Sequence, residues 1–506
     1  MMNTFAMKNL KLYSLLLAGA ALISCEPELD NDILEDDVYT AGEADFSNYV
    51  AVGNSLTAGF ADSALYIQGQ ENSYPNIMAQ QFQLAGGGEF VQPLVDDNVG
   101  GLLAAGVQIQ QPRFVLAVDA NGNPTAPTIF NGTPTTDITN VLSGPFNNMG
   151  VPGAKSFHLG APGYGNIAGV ALGQANPYFV RFASEPNATI IGDAVAQDPS
   201  FFSLWIGNND ILSYATSGGS GVDQTGNLDP TTYGSNDITD PNVFASVYSG
   251  YVSALTANGA GGALVNIPDV TSIPFFTTVP VASIPLDAQT AAFLQQQVTP
   301  YNQGLQFAAS QGFITPAEAA LRTITFQPNA ANAPIIEDPD LTDGTGLGLP
   351  SIRQANDDDL ITFTAASVLG TLANPGDANS IIGVGVPLGA QFVLSRVEQD
   401  RITAAQTAYN ATIQGLAAQN GLAYVDARAA LAQVANSGVS ISGGQLTSTY
   451  ASGGAFSLDG VHPTPRGYAY TANVILDAIN DTYGSNIPGV DVGSYSTVNV
   501  SNGVGN

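Results

Sequence analysis

The stretch N-Y-V-A-V-G-N-S-L-T-A-G-F, residues 48–60, sets one hydroxyl where it can serve as a nucleophile. Tyr49 to Val52 is a short apolar, β-branched run, Gly53 permits a sharp reversal, and Leu56, Gly59 and Phe60 resume at helical spacing. Ser55 is thereby delivered from a buried strand to the start of a helix, where backbone N–H groups lacking intrahelical acceptors can stabilise negative charge. A serine of this kind needs a base, and the chain holds two histidines, His158 and His462. His462 closes S-L-D-G-V-H, with Asp459 three residues earlier. A D-x-x-H loop can set the carboxylate against one imidazole nitrogen and leave the other nitrogen to a serine. Each fragment alone is common in loops and turns, so their weight comes from occurring together.

The elements that must position these groups read as strands alternating with helices. N-M-G-V-P-G, residues 148–153, follows a run ending in Phe146 and offers the Gly153 backbone N–H, or simply a turn glycine. P-S-F-F-S-L-W-I, residues 199–206, is strongly β-prone and ends in Gly207-Asn208-Asn209-Asp210. Gly262 to Ile267 and Ala423 to Val425 read as further strands. Helical patterns run over Tyr66 to Leu84, Val243 to Asn258, Leu286 to Phe307, Val393 to Gln419 and Pro465 to Tyr483. Such alternation implies a parallel sheet covered on both faces, and active groups in those sheets gather at the C-terminal strand ends. Each polar candidate lies at such an end or just before a helix.

With 506 residues, 44% of them hydrophobic and 10% charged, the chain can bury a large core. Eleven Lys and Arg against 42 Asp and Glu leave a formal charge of -31, which argues against binding nucleic acid or anionic membranes through a basic face. Lys8 and Lys11 precede the apolar run Leu12 to Ile23, too short for an ordinary membrane span, and the run ends in L-I-S-C. That tetrapeptide resembles the bacterial lipobox. It implies a signal peptide over 1–24, acylation of Cys25, a membrane anchor at the N-terminus and a place in the bacterial envelope. Cys25 is the single cysteine, so no disulfide forms within the chain. Residues 25–45 read as an acidic tether, 46–485 as one folded domain with insertions near 86–145 and 274–388, and 486–506 as a Gly/Ser/Asn-rich tail. Asp338, Asp340 and Asp343 do not match the spacing of a calcium-binding EF-hand loop and read as a solvated acidic turn.

Taken together, four blocks resemble the SGNH or GDSL esterases and lipases, in order over roughly residues 46–485. G-N-S-L carries Ser55, N-M-G-V-P-G carries Gly153, G-N-N-D carries Asn209, and D-G-V-H-P-T-P-R-G-Y carries Asp459 and His462. The resemblance implies a three-layer α/β/α sandwich around a five-stranded, flavodoxin-like parallel sheet. It implies a nucleophile at Ser55, a base at His462 and a triad acid at Asp459. The implied oxyanion hole comprises the N–H groups of Ser55 and Gly153 and the amide of Asn209, with no metal or organic cofactor. The departure is Asn54, where the family usually has aspartate. The implied substrate is a carboxylic ester of a small molecule, lipid or glycan. A carbohydrate acetylesterase is the alternative activity, and a non-catalytic glycan- or lipid-binding lipoprotein the alternative of another class.

Overall fold

The computed structural model describes residues 39–119, 123–377 and 379–501. The signal-like segment, Cys25 and most of the acidic tether lie outside the described residues. Five strands form the central sheet: β1 (Tyr49–Gly53), β2 (Asn148–Gly150), β3 (Phe201–Trp205), β4 (Gly261–Val265) and β5 (Ala423–Val425). They lie in the order β5-β4-β3-β1-β2 and every pairing is parallel. This is the flavodoxin-like 2-1-3-4-5 order that the family resemblance implied, and the parallel pairing is what the alternating pattern led one to expect. All residues of β1 and β3 are buried, because a central parallel strand is covered from both faces and has no polar side to present.

The helices that matter for the site are α1 (Ser55–Ala58), α2 (Tyr74–Phe82), α3 (Asn209–Thr216), α4 (Pro241–Leu255), α5 (Ala288–Ser310), α6 (Arg396–Asn420), α7 (Ala427–Asn436) and α8 (Pro465–Tyr483). Helices α2 and α8 pack together on one face of the sheet, and α4 and α6 pack together on the other. The core between them is aromatic near β1, where Phe46 and Phe82 stack with ring centroids 4.0 Å apart and Tyr49 meets Phe82 edge-on. The expected helix over Val393 to Gln419 starts later. Val393–Leu394 pairs with Leu360–Ile361, and Ser395 then caps α6 in a capping box with Glu398.

Residues 86–145 are folded into small β units. Leu102–Ala104 pairs with Val107–Gln110, and Phe114–Val118 pairs with Pro124–Ile129. The tail contributes Val500–Ser501, which runs parallel to Phe114–Val118. Residues 274–388 carry α5 and apolar clusters of their own, around Ile284, Ile324 and Phe326 and around Leu305 and Ala308. The reading of Asp338 as part of a solvated turn needs correction, whereas Asp340 is exposed as expected but ion-paired. Asp338 pairs with Arg353 at 2.6 Å and is buried, and Asp340 pairs with Arg401 of α6 at 2.5 Å. Arg353 lies 15 residues from Asp338 and Arg401 lies 61 from Asp340, separations that the spacing of the three aspartates cannot reveal. Asp343 instead accepts hydrogen bonds from Thr345 in its own turn. Among the described residues no helix is long and apolar enough to cross a membrane.

Candidate active site

The serine turn is built from β1 outward. Gly53 and Gly150 are register partners on β1 and β2. A Cβ on Gly53 would stand 2.2 Å from Thr57 Oγ1, and one on Gly150 would stand 2.3 Å from the Ala58 nitrogen. Glycine at both positions therefore lets α1 settle directly onto the strand ends, which fixes the height of Ser55 above the sheet. Asn54 caps α1 by accepting the Leu56 N–H at 3.0 Å, and Gly59 closes the helix in the left-handed region at φ 81°.

Ser55 Oγ lies 2.9 Å from His462 Nε2, and His462 Nδ1 lies 2.9 Å from Asp459 Oδ2. The hydrogen-bond network assigns the proton of the neutral ring to Nδ1, so that Nε2 accepts from the serine hydroxyl. Asp459 is tightly held. Its Oδ2 also accepts the Ser63 N–H, and its Oδ1 accepts the N–H groups of Val461 and His462 and the Ser457 hydroxyl. Burial alone would raise this carboxyl, but the charge and hydrogen bonds of His462, together with the Val461 N–H, outweigh it and bring it down to about 2. The Phe60 ring lies 4.7 Å from the imidazole and limits its swing.

Amide side chains stitch the strand-end loops together. Asn54 Nδ2 donates to Asn208 Oδ1 at 3.2 Å, a bond that an aspartate at this position could not donate. Asn209 Nδ2 donates to the Ala154 carbonyl at 2.9 Å, which leaves its other amide hydrogen over. Asp210 accepts both the N–H and the hydroxyl of Ser156, so the loops after β2 and β3 are joined. Asn209, Ser55 and His462 line one small recess. Gly153, at φ +81°, lines a separate cleft with Phe60 and Ser63 that shares no residue with this recess. The N–H groups of Ser55 and Gly153 have no acceptor among the described residues.

The structure thus brings Ser55, His462 and Asp459 into one hydrogen-bonded chain with Asn209 beside them, and places Gly153 in a separate cleft. The second histidine is elsewhere in role: His158 Nδ1 accepts the Lys155 N–H at 3.0 Å, and its ring stacks on Tyr164. Burial, aided by the Lys155 charge, drives His158 down to about 3, so it stays neutral and structural. Among the described residues no group of three or more His, Cys, Asp or Glu is arranged to hold a metal.

Two site residues escaped the sequence reading. Asp62 and Ser63 sit in the left-handed region at φ 53° and 66°, in the tight turn between Ala61 and Ala64. Asp62 accepts the Leu458 N–H and the Tyr66 hydroxyl, while its own N–H donates to Ser457 Oγ. This turn locks the serine loop to the histidine loop. The D-S dipeptide is a turn signal, but nothing local says that the turn clasps a segment 396 positions away.

No family model matches the chain, and no curated protein matches it. Among solved structures, a mutant of the acetyl-xylooligosaccharide esterase Axe2 from Geobacillus Stearmophilus is similar at 10% identity with a TM-score of 0.31, covering 87% of this chain and 96% of that one. A likeness that distant says nothing of activity.

Proposed function

We propose that the protein is a serine hydrolase of the SGNH or GDSL type that cleaves carboxylic esters through an acyl-enzyme intermediate. The observation that carries this reading is the unbroken Ser55–His462–Asp459 chain, 2.9 Å at each link, at the C-terminal end of a parallel sheet. As the Ser55 hydroxyl attacks the ester carbonyl, His462 Nε2 takes its proton, and Asp459 stabilises the imidazolium that forms. The N–H groups of Ser55 and Gly153 and the remaining amide hydrogen of Asn209 are the donors for the tetrahedral oxyanion. His462 returns the proton to the departing alcohol oxygen, and water then repeats the sequence to release the acid.

One observation favours a glycan as the alcohol. Beside His462 lies a cleft of about 730 Å3 bordered by Phe60, Phe114 and Phe363, and it adjoins another of about 460 Å3 that carries the Gln110 and Gln111 amides. Aromatic faces with amide groups between them suit the apolar faces and hydroxyls of sugar rings. A binding module of another class has no use for a general base hydrogen-bonded to a serine. Lipid attachment at Cys25, and with it an envelope location, belongs to the same proposal and rests on the L-I-S-C sequence alone. Fatty-acid labelling in cells that is abolished by Cys25→Ala supports the anchor, and label persisting on that variant removes it.

The test of the hydrolase is a panel of p-nitrophenyl esters and acetylated oligosaccharides, run beside stoichiometric labelling by an alkyl fluorophosphonate. Turnover and label should both vanish in Ser55→Ala while its melting temperature is kept. Substantial turnover by that pure variant would falsify the serine mechanism.

A further inference from the structure

The ester-hydrolase reading leaves the acyl group unspecified, and the walls around Ser55 bear on it. His462 must hand its proton to the leaving oxygen, so the alcohol lies on the imidazole's outer side, where the wide cleft is bordered by Phe60, Ser63, Asp459 and His462. With Asn209 as oxyanion donor, the carbonyl oxygen would face its amide. What remains for the acyl chain is the small recess that Ser55 and Asn209 share with Leu56, Leu212, Ile273 and Val461.

That recess measures about 50 Å3. A water-sized group takes roughly 10–15 Å3 on this measure, so the recess holds about three to five heavy atoms, two of them the carbonyl carbon and oxygen. Behind it lies a second cavity of about 110 Å3, apolar and walled by Trp205 of β3, Val434 of α7 and Val474 of α8. Leu56, Pro268, Ile273 and Val461 line both spaces. They stand between them as a wall one side chain thick. Ile273 is 5% exposed, and its branched side chain reaches the wall from the segment leading into the Pro274–Thr277 helix.

We infer that Leu56, Ile273 and Val461 form a partition that restricts the enzyme to short acyl groups, acetyl to butyryl, and that the cavity behind it is a latent extension of the acyl site. The inference rests on the hydrolase reading and deepens it, since a short-acyl pocket beside a wide alcohol cleft describes an esterase of acetylated alcohols and excludes a long-chain lipase. Truncating the partition should join the two spaces, adding room for roughly seven or more carbon-sized groups.

The experiment measures kcat/KM for p-nitrophenyl acetate, butyrate, hexanoate and octanoate. Wild type should fall at least tenfold from butyrate to octanoate. Ile273→Ala should raise the octanoate-to-acetate ratio at least tenfold, and adding Val434→Phe, which fills the rear cavity, should return the ratio toward wild type. The inference is overturned if wild type turns over octanoate as fast as acetate, a result that needs no variant to fold. It is also overturned if a folded Ile273→Ala keeps the wild-type ratio, or if the double variant still accepts octanoate, since the chain then lies elsewhere. In each of these cases Ser55-dependent turnover survives and only the partition falls. Absence of turnover on every ester, with no fluorophosphonate label on Ser55, removes the hydrolase reading and the partition with it.

Discussion

At the scale of single residues, two histidines of one chain are set to opposite tasks by their neighbours. His462 is hydrogen-bonded between Ser55 and Asp459, whereas His158 accepts a backbone N–H and stacks on Tyr164. His462→Ala should lower kcat/KM by about four orders of magnitude, and His158→Ala should keep most activity while losing about 1 kcal/mol of stability with its cap-like bond. Asp459→Asn should cost on the order of 10⁴-fold in kcat, because an amide cannot stabilise the imidazolium and can hold the wrong tautomer. Substantial turnover by His462→Ala would point to another base. Asp62 makes a pH prediction. Burial, with the Asp459 charge adding to it, pushes Asp62 from 3.8 up to about 6 against the pull of the Leu458 N–H. A carboxyl raised on folding favours the native state in its protonated form. That contribution is complete below pH 3.8 and is lost as pH climbs through about 6. Asp62→Asn keeps an acceptor for the Leu458 N–H and carries no charge. It should therefore match wild-type stability near pH 4 and exceed it above pH 6, by on the order of 3 kcal/mol. Melting temperatures of both proteins across that range decide the matter, and an offset independent of pH would contradict it.

At the scale of elements, the junction between β1, β2 and α1 depends on two glycines with different demands from that of a third. Gly150 is required by space, because any Cβ meets the α1 backbone, whereas Gly153 is required by its φ of +81°, with its nearest neighbour 3.8 Å away. The two alanine variants should therefore differ. Gly150→Ala must displace α1 and with it Ser55, lowering the melting temperature and abolishing turnover together. Gly153→Ala can fold with local strain of about 1 kcal/mol and should lose roughly 10²-fold in kcat, as its N–H turns away from the oxyanion. Thermal melts beside kinetics separate these outcomes. If Gly150→Ala retains normal activity, the close seating of α1 does not position the nucleophile.

At the scale of the whole molecule, eleven lysines and arginines serve a chain of formal charge -31, and some of them brace residues 274–388, Arg353 from within and Arg401 from the sheet domain. Arg353 is buried between Asp338 and Asp359, and Arg401 on α6 reaches out to Asp340. Removing one member of a buried ionic group strands the others without a partner, at about 3–5 kcal/mol. Arg353→Ala should destabilise this insertion by that order and expose it to limited proteolysis. Phe363 and Ser367 of the same segment border the wide cleft, so KM for bulky alcohols should rise more than for p-nitrophenyl acetate. Equal proteolytic resistance of variant and wild type would show that the ion cluster does not hold the insertion.

The sequence by itself determined the layered α/β class, the order of the central strands and their main helices along the chain, and the residues Ser55, His462 and Asp459 that the fold joins by hydrogen bonds. Those signals are local: apolar β-branched runs, glycines at reversals, and a histidine block that opens α8. The order of the five strands was implied only through family resemblance, and the tertiary structure places them. The clasp of Asp62 and Ser63 on the histidine loop, the pairing of Asp340 with Arg401, and the shared lining by Leu56, Ile273 and Val461 were decided by the fold alone. Each joins segments far apart in the chain. Their energies come from burial, matched charge and shared volume, which exist only once the loops at the sheet's C-terminal edge have closed on one another.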